Sequence, residues 1–275
     1  MSASEQAGVN AAEAAWYPAN GITVPYRARF DECGPDGIVR TSSLLRYAQD
    51  IAWIHSEGLG FTRAWYAERN LAWVVRSAEL VILAQLPLGG TIALSTAPTG
   101  FRRVWGRRRT EGRLDDGTLA LWGHTDWVMT DTVRGIPGRI PQEFPAAFAL
   151  TPGTFDPVRV ELPAMPEGAP SLRTAVRPQD IDPMGHVNNA AYLDYLEEAL
   201  LAAGADGGAG ARAIAAIPRR ILVEYVAAAS PGAILTGTAW RIEASNGGGW
   251  AWSLADEGGR ELARARIRDH GGAVT

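Results

Sequence analysis

An aspartate and a histidine separated by Pro-Met-Gly stand just ahead of a helix-forming run in Asp180-Ile181-Asp182-Pro183-Met184-Gly185-His186-Val187-Asn188-Asn189-Ala190-Ala191-Tyr192-Leu193-Asp194-Tyr195. A carboxylate can serve at a carbonyl as general base or as nucleophile, and backbone N–H groups at a helix start can stabilise the oxyanion that develops. Pro183 fixes one φ angle and Gly185 permits an unusual one, so the spacing predicts that the side chains of Asp182 and His186 turn toward one point. Asn188 and Asn189 offer caps to a helix expected from Ala190. Asn189 directly precedes that helix and reads as structural. Asp182, His186 and Asn188 are therefore the candidate catalytic set, with Gly185 and Asn189 as its support.

The elements that must position these residues occur twice. A strand is expected over 22–30, and Leu44, Tyr47, Ala48, Ile51, Ala52 and His55 recur at the spacing of a buried helix face, ended by Gly58 and Gly60. Strand runs follow at 71–83, 91–98, 102–114 and 118–129, with Asp115-Asp116-Gly117 as a hairpin turn. Eight prolines between 134 and 170 break any long element, and this stretch reads as a linker. Beyond it the order returns: a strand near 172–176, a helix over about 190–202, then strands at 220–226, 234–242, 249–254 and 261–267. At an offset of 148, Gly37-Ile38-Val39 and Leu44-Leu45-Arg46-Tyr47 align with Gly185-His186-Val187 and Tyr192-Leu193-Asp194-Tyr195. An internal duplication accounts for this. The division expected is an arm over 1–20, an N-terminal unit over 21–133, the linker, and a C-terminal unit over 171–275. Each unit is α+β, a long helix wrapped by an antiparallel sheet. At the same offset Asp182 maps to Gly34, His186 to Ile38, Asn188 to Arg40 and Asn189 to Thr41, which predicts one active site per chain.

Such halves, the segment 182–193 and the late Trp127-Val128-Met129 resemble the acyl-ACP thioesterases, a tandem hotdog family, over nearly all of 22–267. The resemblance implies hydrolysis of the thioester between a fatty acyl chain and acyl carrier protein or coenzyme A, as in fatty acid biosynthesis. It implies no metal and no organic cofactor, with catalysis in the second hotdog and an acyl pocket shaped by the first. Asp182 and His186 fall on the family's catalytic Asp and His. Trp53 and Trp73 fall on elements that line the pocket. Plant members carry Asn where Met184 stands, and Glu-Cys downstream of a Glu-Tyr where this chain has Ala228-Ala229 after Glu224-Tyr225. A thiol mechanism is thereby excluded at that position, and a second carboxylate must come from elsewhere or be dispensable.

Composition narrows the partners. A formal net charge of -4 gives no general attraction to nucleic acid or anionic lipid. Strand alternation would place Arg103, Trp105, Arg107 and Arg109 on one face, and those arginines are candidates for docking an acidic carrier, with Arg219 and Arg220 a weaker pair. The sole cysteine, Cys33, excludes an intrachain disulfide and fits a reducing cytoplasm. No apolar run approaches the roughly 20 residues that span a bilayer, so no membrane insertion is expected. Two halves could close an interface within one chain, which makes a monomer feasible beside a homodimer. Two rival readings are a hotdog enoyl-thioester hydratase, whose Asp-x-Asn-Pro-x-His pattern residues 180–186 approach, and a non-catalytic acyl-thioester-binding module.

Overall fold

The computed structural model describes residue 16 and residues 18–150, 155–204 and 208–269, so most of the expected arm over 1–20 lies outside the described residues. Contacts divide the chain into two units. The first comprises Met1–Arg40, Leu44–Val74 and Ile82–Asp156, and the second Thr41–Ser43, Val75–Val81 and Pro157–Thr275.

One antiparallel set of strands runs in the order β1 (Ile22–Arg27), β3 (Thr91–Arg102), β4 (Trp105–Leu114), β5 (Leu119–Asp131) and β2 (Leu71–Ile82), with the short β6 (Ile136–Pro137) on β5; all lie in the first unit except Val75–Val81 of β2. Helix α1 (Thr41–Gly58) buries Leu44, Tyr47, Ala48, Ile51 and Ala52 as its spacing predicts. Fully burying an Ile or Leu side chain is worth about 1.5–3 kcal/mol, which a narrower seam would forfeit. Tyr47 stacks on Tyr26 of β1 with centroids 4.8 Å apart. His55 meets Arg108 of β4, whose guanidinium donates to Nδ1 at 3.0 Å. Since Arg can only donate, that nitrogen carries no proton; burial first and then the Arg108 cation push the imidazole down to about 4.

The second unit's sheet has the order β8 (Arg219–Tyr225), β11 (Glu261–Asp269), β10 (Trp250–Asp256), β9 (Ile234–Arg241) and β7 (Ser171–Ala175). Helix α4 (Ala191–Ala203) packs on β9 and β7 and buries Tyr192, Leu193, Tyr195, Leu196, Ala199 and Leu200. Gly237 on β9 lets it seat closely, because a Cβ there would stand 3.2 Å from Trp252 Nε1 and 3.4 Å from the Ala199 methyl.

The stretch expected as a linker is not a bare connector. Helix α3 (Glu143–Ala147) carries Phe144, and Phe148 follows; both enter a core cluster with Phe61, Tyr66, Phe101 and Met129. Past Pro157, the Val160 N–H donates to buried Glu224 at 3.0 Å, and Leu162 and Ala169 cover Trp240, Ile242 and Ala251. Prolines forbid a long regular element here but leave side chains free to cap a core. The short helices α2 (Arg63–Glu68) and α5 (Ala209–Ala215) also escape the periodicity.

The duplication extends to atomic detail. In the second unit Asp180 is 4% exposed and accepts from Arg177 N (3.0 Å), Arg177 Nε (3.0 Å), Arg177 Nη2 (3.2 Å) and Tyr195 Oη (2.7 Å). In the first, Glu32 accepts from Arg29 N and Arg29 Nη2, both at 2.9 Å, and from the Tyr47 hydroxyl. All three pairs of residues differ by the same 148 positions. Burial alone would raise the Asp180 carboxyl, but the hydrogen bonds from Arg177 and Tyr195 outweigh it and hold it below the usual carboxylate range. Removing such a buried acceptor strands its donors. Asp180→Ala is expected to cost about 3 kcal/mol in urea denaturation at neutral pH, and Glu32→Ala, at a partly buried acid paired with an exposed arginine, less. Because the Asp180 carboxyl is depressed in the folded state, its contribution is complete above the unfolded carboxylate value, about 4, and is lost as pH falls through the lower folded value. The gap between wild type and Asp180→Ala should therefore narrow in acid.

Candidate active site

The turn that carries Asp182 and His186 is built from main chain. Asp182 N–H donates to His186 O at 2.9 Å, Gly185 N–H to Asp182 O at 2.9 Å, and Asn188 N–H to Asp180 O at 2.8 Å. Gly185 takes φ +78°. The first unit repeats every bond: Gly34 N–H to Ile38 O at 2.8 Å, Gly37 N–H to Gly34 O at 3.0 Å, and Arg40 N–H to Glu32 O at 2.9 Å, with Gly37 at φ +72°. The tight turn is therefore a property of the fold. What belongs to the second half alone is the set of side chains at 182, 186, 188 and 189.

Those side chains are arranged differently from the expectation. The backbones of Asp182 and His186 meet, but no hydrogen bond joins the two side chains; the imidazole is exposed and the carboxylate half-buried. Asp182 Oδ1 accepts the Met184 N–H at 2.8 Å, and Oδ2 makes no hydrogen bond among the described residues. The two asparagines differ in what they hold. Asn188 Oδ1 accepts the Ala190 N–H at 2.9 Å and its carbonyl accepts the Ala191 N–H at 2.9 Å, so Asn188 is the residue that launches α4. Asn189 contributes its carbonyl to the Tyr225 hydroxyl at 2.9 Å, and its half-buried amide makes no hydrogen bond among the described residues. Position in the sequence identified the pair but could not show which one bends back.

Tyr192 is a further candidate that the spacing does not single out. Its hydroxyl accepts the Ala229 N–H at 3.0 Å, which keeps its own proton available to donate. Burial, chiefly, and then the Asp182 carboxylate raise its pKa, so it stays protonated and lies within the field of that carboxylate. The signal was present in the sequence as a tyrosine two positions inside the helix. Glu224 does not supply a second carboxylate. Tyr225 points to the α4 side, so alternation sends Glu224 to the opposite face, where it holds Val160. Ala229, which follows the Glu224-Tyr225 pair, is the residue beside Tyr192. Among the described residues no cluster of His, Cys, Asp and Glu could hold a metal.

Five candidates lie in the first unit. Arg103 sits in the β3–β4 turn at φ +56°, off the row of Arg107 and Arg109. Arg107 grips buried Asp126 through two bonds of 2.7 and 2.8 Å, and Arg109 pairs with buried Glu111 at 3.1 Å. The row is thus committed to ion pairs within the sheet. Trp73 packs against the aromatic cluster, 5.4 Å from Phe144, and Trp53 is 41% exposed. Trp73 is thus partly buried against that cluster, and Trp53 lies at the surface. No described helix is long and apolar enough to cross a membrane.

Comparison with known proteins adds to this geometry. Residues 21–148 match the acyl-ACP thioesterase N-terminal domain, and residues 176–268 match the thioesterase-like superfamily. A chloroplastic acyl-[acyl-carrier-protein] hydrolase of Cuphea viscosissima is 25% identical over 192 residues, covering 63% of this chain and 45% of that protein, so the match spans a little under half of the relative's length. An acyl-ACP thioesterase from Bacteroides thetaiotaomicron superposes with a TM-score of 0.74 at 16% identity, over 90% of this chain and 97% of that one. A 12:0-ACP thioesterase from Umbellularia californica superposes with a TM-score of 0.71 at 19% identity, over 92% and 98%. These likenesses establish the tandem hotdog fold.

Because a Cβ at Gly37 or Gly185 would meet nothing within 4 Å, alanine at either position is opposed by backbone conformation alone. Gly37→Ala and Gly185→Ala should lose the same stability, about 1–2 kcal/mol each, in urea titrations.

Proposed function

We propose, from the match of residues 21–148 to the acyl-ACP thioesterase N-terminal domain and of residues 176–268 to the thioesterase-like superfamily, that the chain hydrolyses a fatty acyl thioester carried by acyl carrier protein or coenzyme A, using Asp182. The observation that carries this reading is the contrast between the two turns: identical main chains, with an acid, an imidazole and an amide on only one.

Asp182 Oδ2 orients a water molecule and takes its proton as the oxygen attacks the thioester carbonyl. The oxyanion of the tetrahedral intermediate is met by the Asn189 amide and the first turn of α4, where the helix dipole favours negative charge. Collapse breaks the C–S bond, and the proton held by Asp182 passes to the departing sulfur, directly or by way of the exposed His186. Free fatty acid and free thiol result, and no metal or cofactor takes part. The alternative route, direct attack by Asp182 to give a mixed anhydride, uses the same residues. Single turnover in ¹⁸O-water separates the two, since label in the Asp182 carboxylate marks the anhydride. Tyr192, its hydroxyl anchored by the Ala229 N–H and lying within the field of Asp182, is a positioning residue in this reading. A cytoplasmic setting belongs to this reading, supported by a lone buried thiol whose pKa burial raises.

With a saturated acyl-ACP as substrate and free thiol as readout, Asp182→Asn should lower kcat by about 10²–10⁴ while retaining the wild-type urea midpoint. Tyr192→Phe should lower kcat roughly tenfold with KM unchanged, the split expected of a group that aligns the base. Undiminished cleavage by Asp182→Asn would sink the catalytic assignment. Hydration of an enoyl thioester without thiol release would favour the hydratase, and tight binding without turnover the acyl-binding module.

A further inference from the structure

The face of the second unit's sheet that points away from α4 gathers positive charge. Arg220 lies directly across from Arg268, and Leu222 from Arg266, in the β8–β11 register. Alternation from Tyr225, whose hydroxyl reaches Asn189 on the helix side, sends Arg220 and Leu222 to the other side. A cavity of about 290 Å³ opens there, lined by Arg159, Val160, Arg220, Leu222, Arg266 and Arg268.

Four guanidinium groups share this wall with a single carboxylate, Glu161, while Glu79 engages Arg220 from outside it at 2.7 Å. Arg159 is exposed and makes no hydrogen bond or ion pair with any described residue. Burial, and then the like charge of Arg268, weaken the hold of Arg266 on its proton. The fold thus gathers cations around a recess that hydrolysis at Asp182 does not use. Arginine forks match phosphate oxygens in bidentate geometry. Val160 and Leu222 supply an apolar wall for the organic body of an ester, and the volume sits at the small end of the roughly 300–1,000 Å³ found for ligand pockets.

We propose that this cavity is a binding site for a phosphate ester, with Arg220, Arg266 and Arg268 on the phosphate and Arg159 closing over it. The site lies on the sheet face opposite Asp182 and is independent of the hydrolysis reading. A nucleotide, a phosphorylated pantetheine and free phosphate share the chemistry that would be recognised.

Calorimetric titration of the full chain with ADP, 4′-phosphopantetheine, inorganic pyrophosphate and unphosphorylated pantetheine, at fixed low salt, tests it. Saturable one-to-one binding is expected for the phosphorylated probes and none for pantetheine. ADP with 4′-phosphopantetheine, against pyrophosphate alone, tells whether the organic body contributes. The double variant Arg266→Ala/Arg268→Ala should weaken each phosphorylated probe at least tenfold, and Asp182→Asn should leave ADP binding unchanged. If the double variant does not fold, Arg159→Glu at the exposed rim carries the test, with a loss of at least threefold expected. Absence of saturable binding, or unaltered affinity in the folded arginine variants, overturns the proposal. So does poly-glutamate binding as tightly as the phosphorylated probes, which would assign the recess to an acidic protein surface.

Discussion

A carboxylate buried between its own arginine and a tyrosine from the long helix fixes the entry to that helix in each half. An isolated buried charge is prohibitively costly, so Asp180 is tolerable only with Arg177 and Tyr195 in place, and the partly buried Glu32 is held in the same way by Arg29 and Tyr47. That requirement ties three separate pieces of chain together: the strand end that supplies the arginine, the loop that supplies the acid, and the second turn of the helix. Once they are tied, the carbonyls of Asp180 and Glu32 are left facing Asn188 N–H and Arg40 N–H, and the intervening residues can close only as the tight turn that is seen.

This separates scaffold from chemistry within the segment 180–195. The acid that is deepest and most heavily bonded, Asp180, holds the turn; the carboxylate of Asp182, the acid proposed for chemistry, accepts one main-chain N–H and makes no other hydrogen bond among the described residues. They lie two residues apart and on sequence look alike. The first half keeps the structural acid as Glu32 and has Gly34 at the position of Asp182, which is what a duplicated fold would retain if only one copy performs chemistry.

Much of the fold was legible because periodicity reports burial: the alternating runs and the Leu44, Tyr47, Ile51 seam became strands and a helix close to their expected limits. The same 148-residue offset that revealed the duplication also pairs Arg29 with Arg177, Glu32 with Asp180 and Tyr47 with Tyr195, so the arginine–acid–tyrosine contact was readable in principle. Other features depend on long-range contacts that no local pattern encodes. Phe144 and Phe148 enter a core from within a proline-rich stretch, and Tyr192 gains its role from Ala229, 37 residues away. The division of labour between Asn188 and Asn189 turns on one backbone bend. The arginine row on β4 was visible as charge, but its partners Asp126 and Glu111 were not, because they depend on register and on a neighbour two residues along the strand.

Those ion pairs have a direction. Arg107, Arg109 and Arg113 are exposed by 21%, 20% and 17%, whereas Asp126 and Glu111, which they hold, are exposed by only 1% and 2%. Each pair is a small dipole standing on end, anion sunk in the sheet and guanidinium edge outward. At several ångströms such a layer presents a positive skin, and beyond about 10 Å in physiological salt its field is gone. The formal charge of -4 therefore describes the chain in bulk and not this face at contact range.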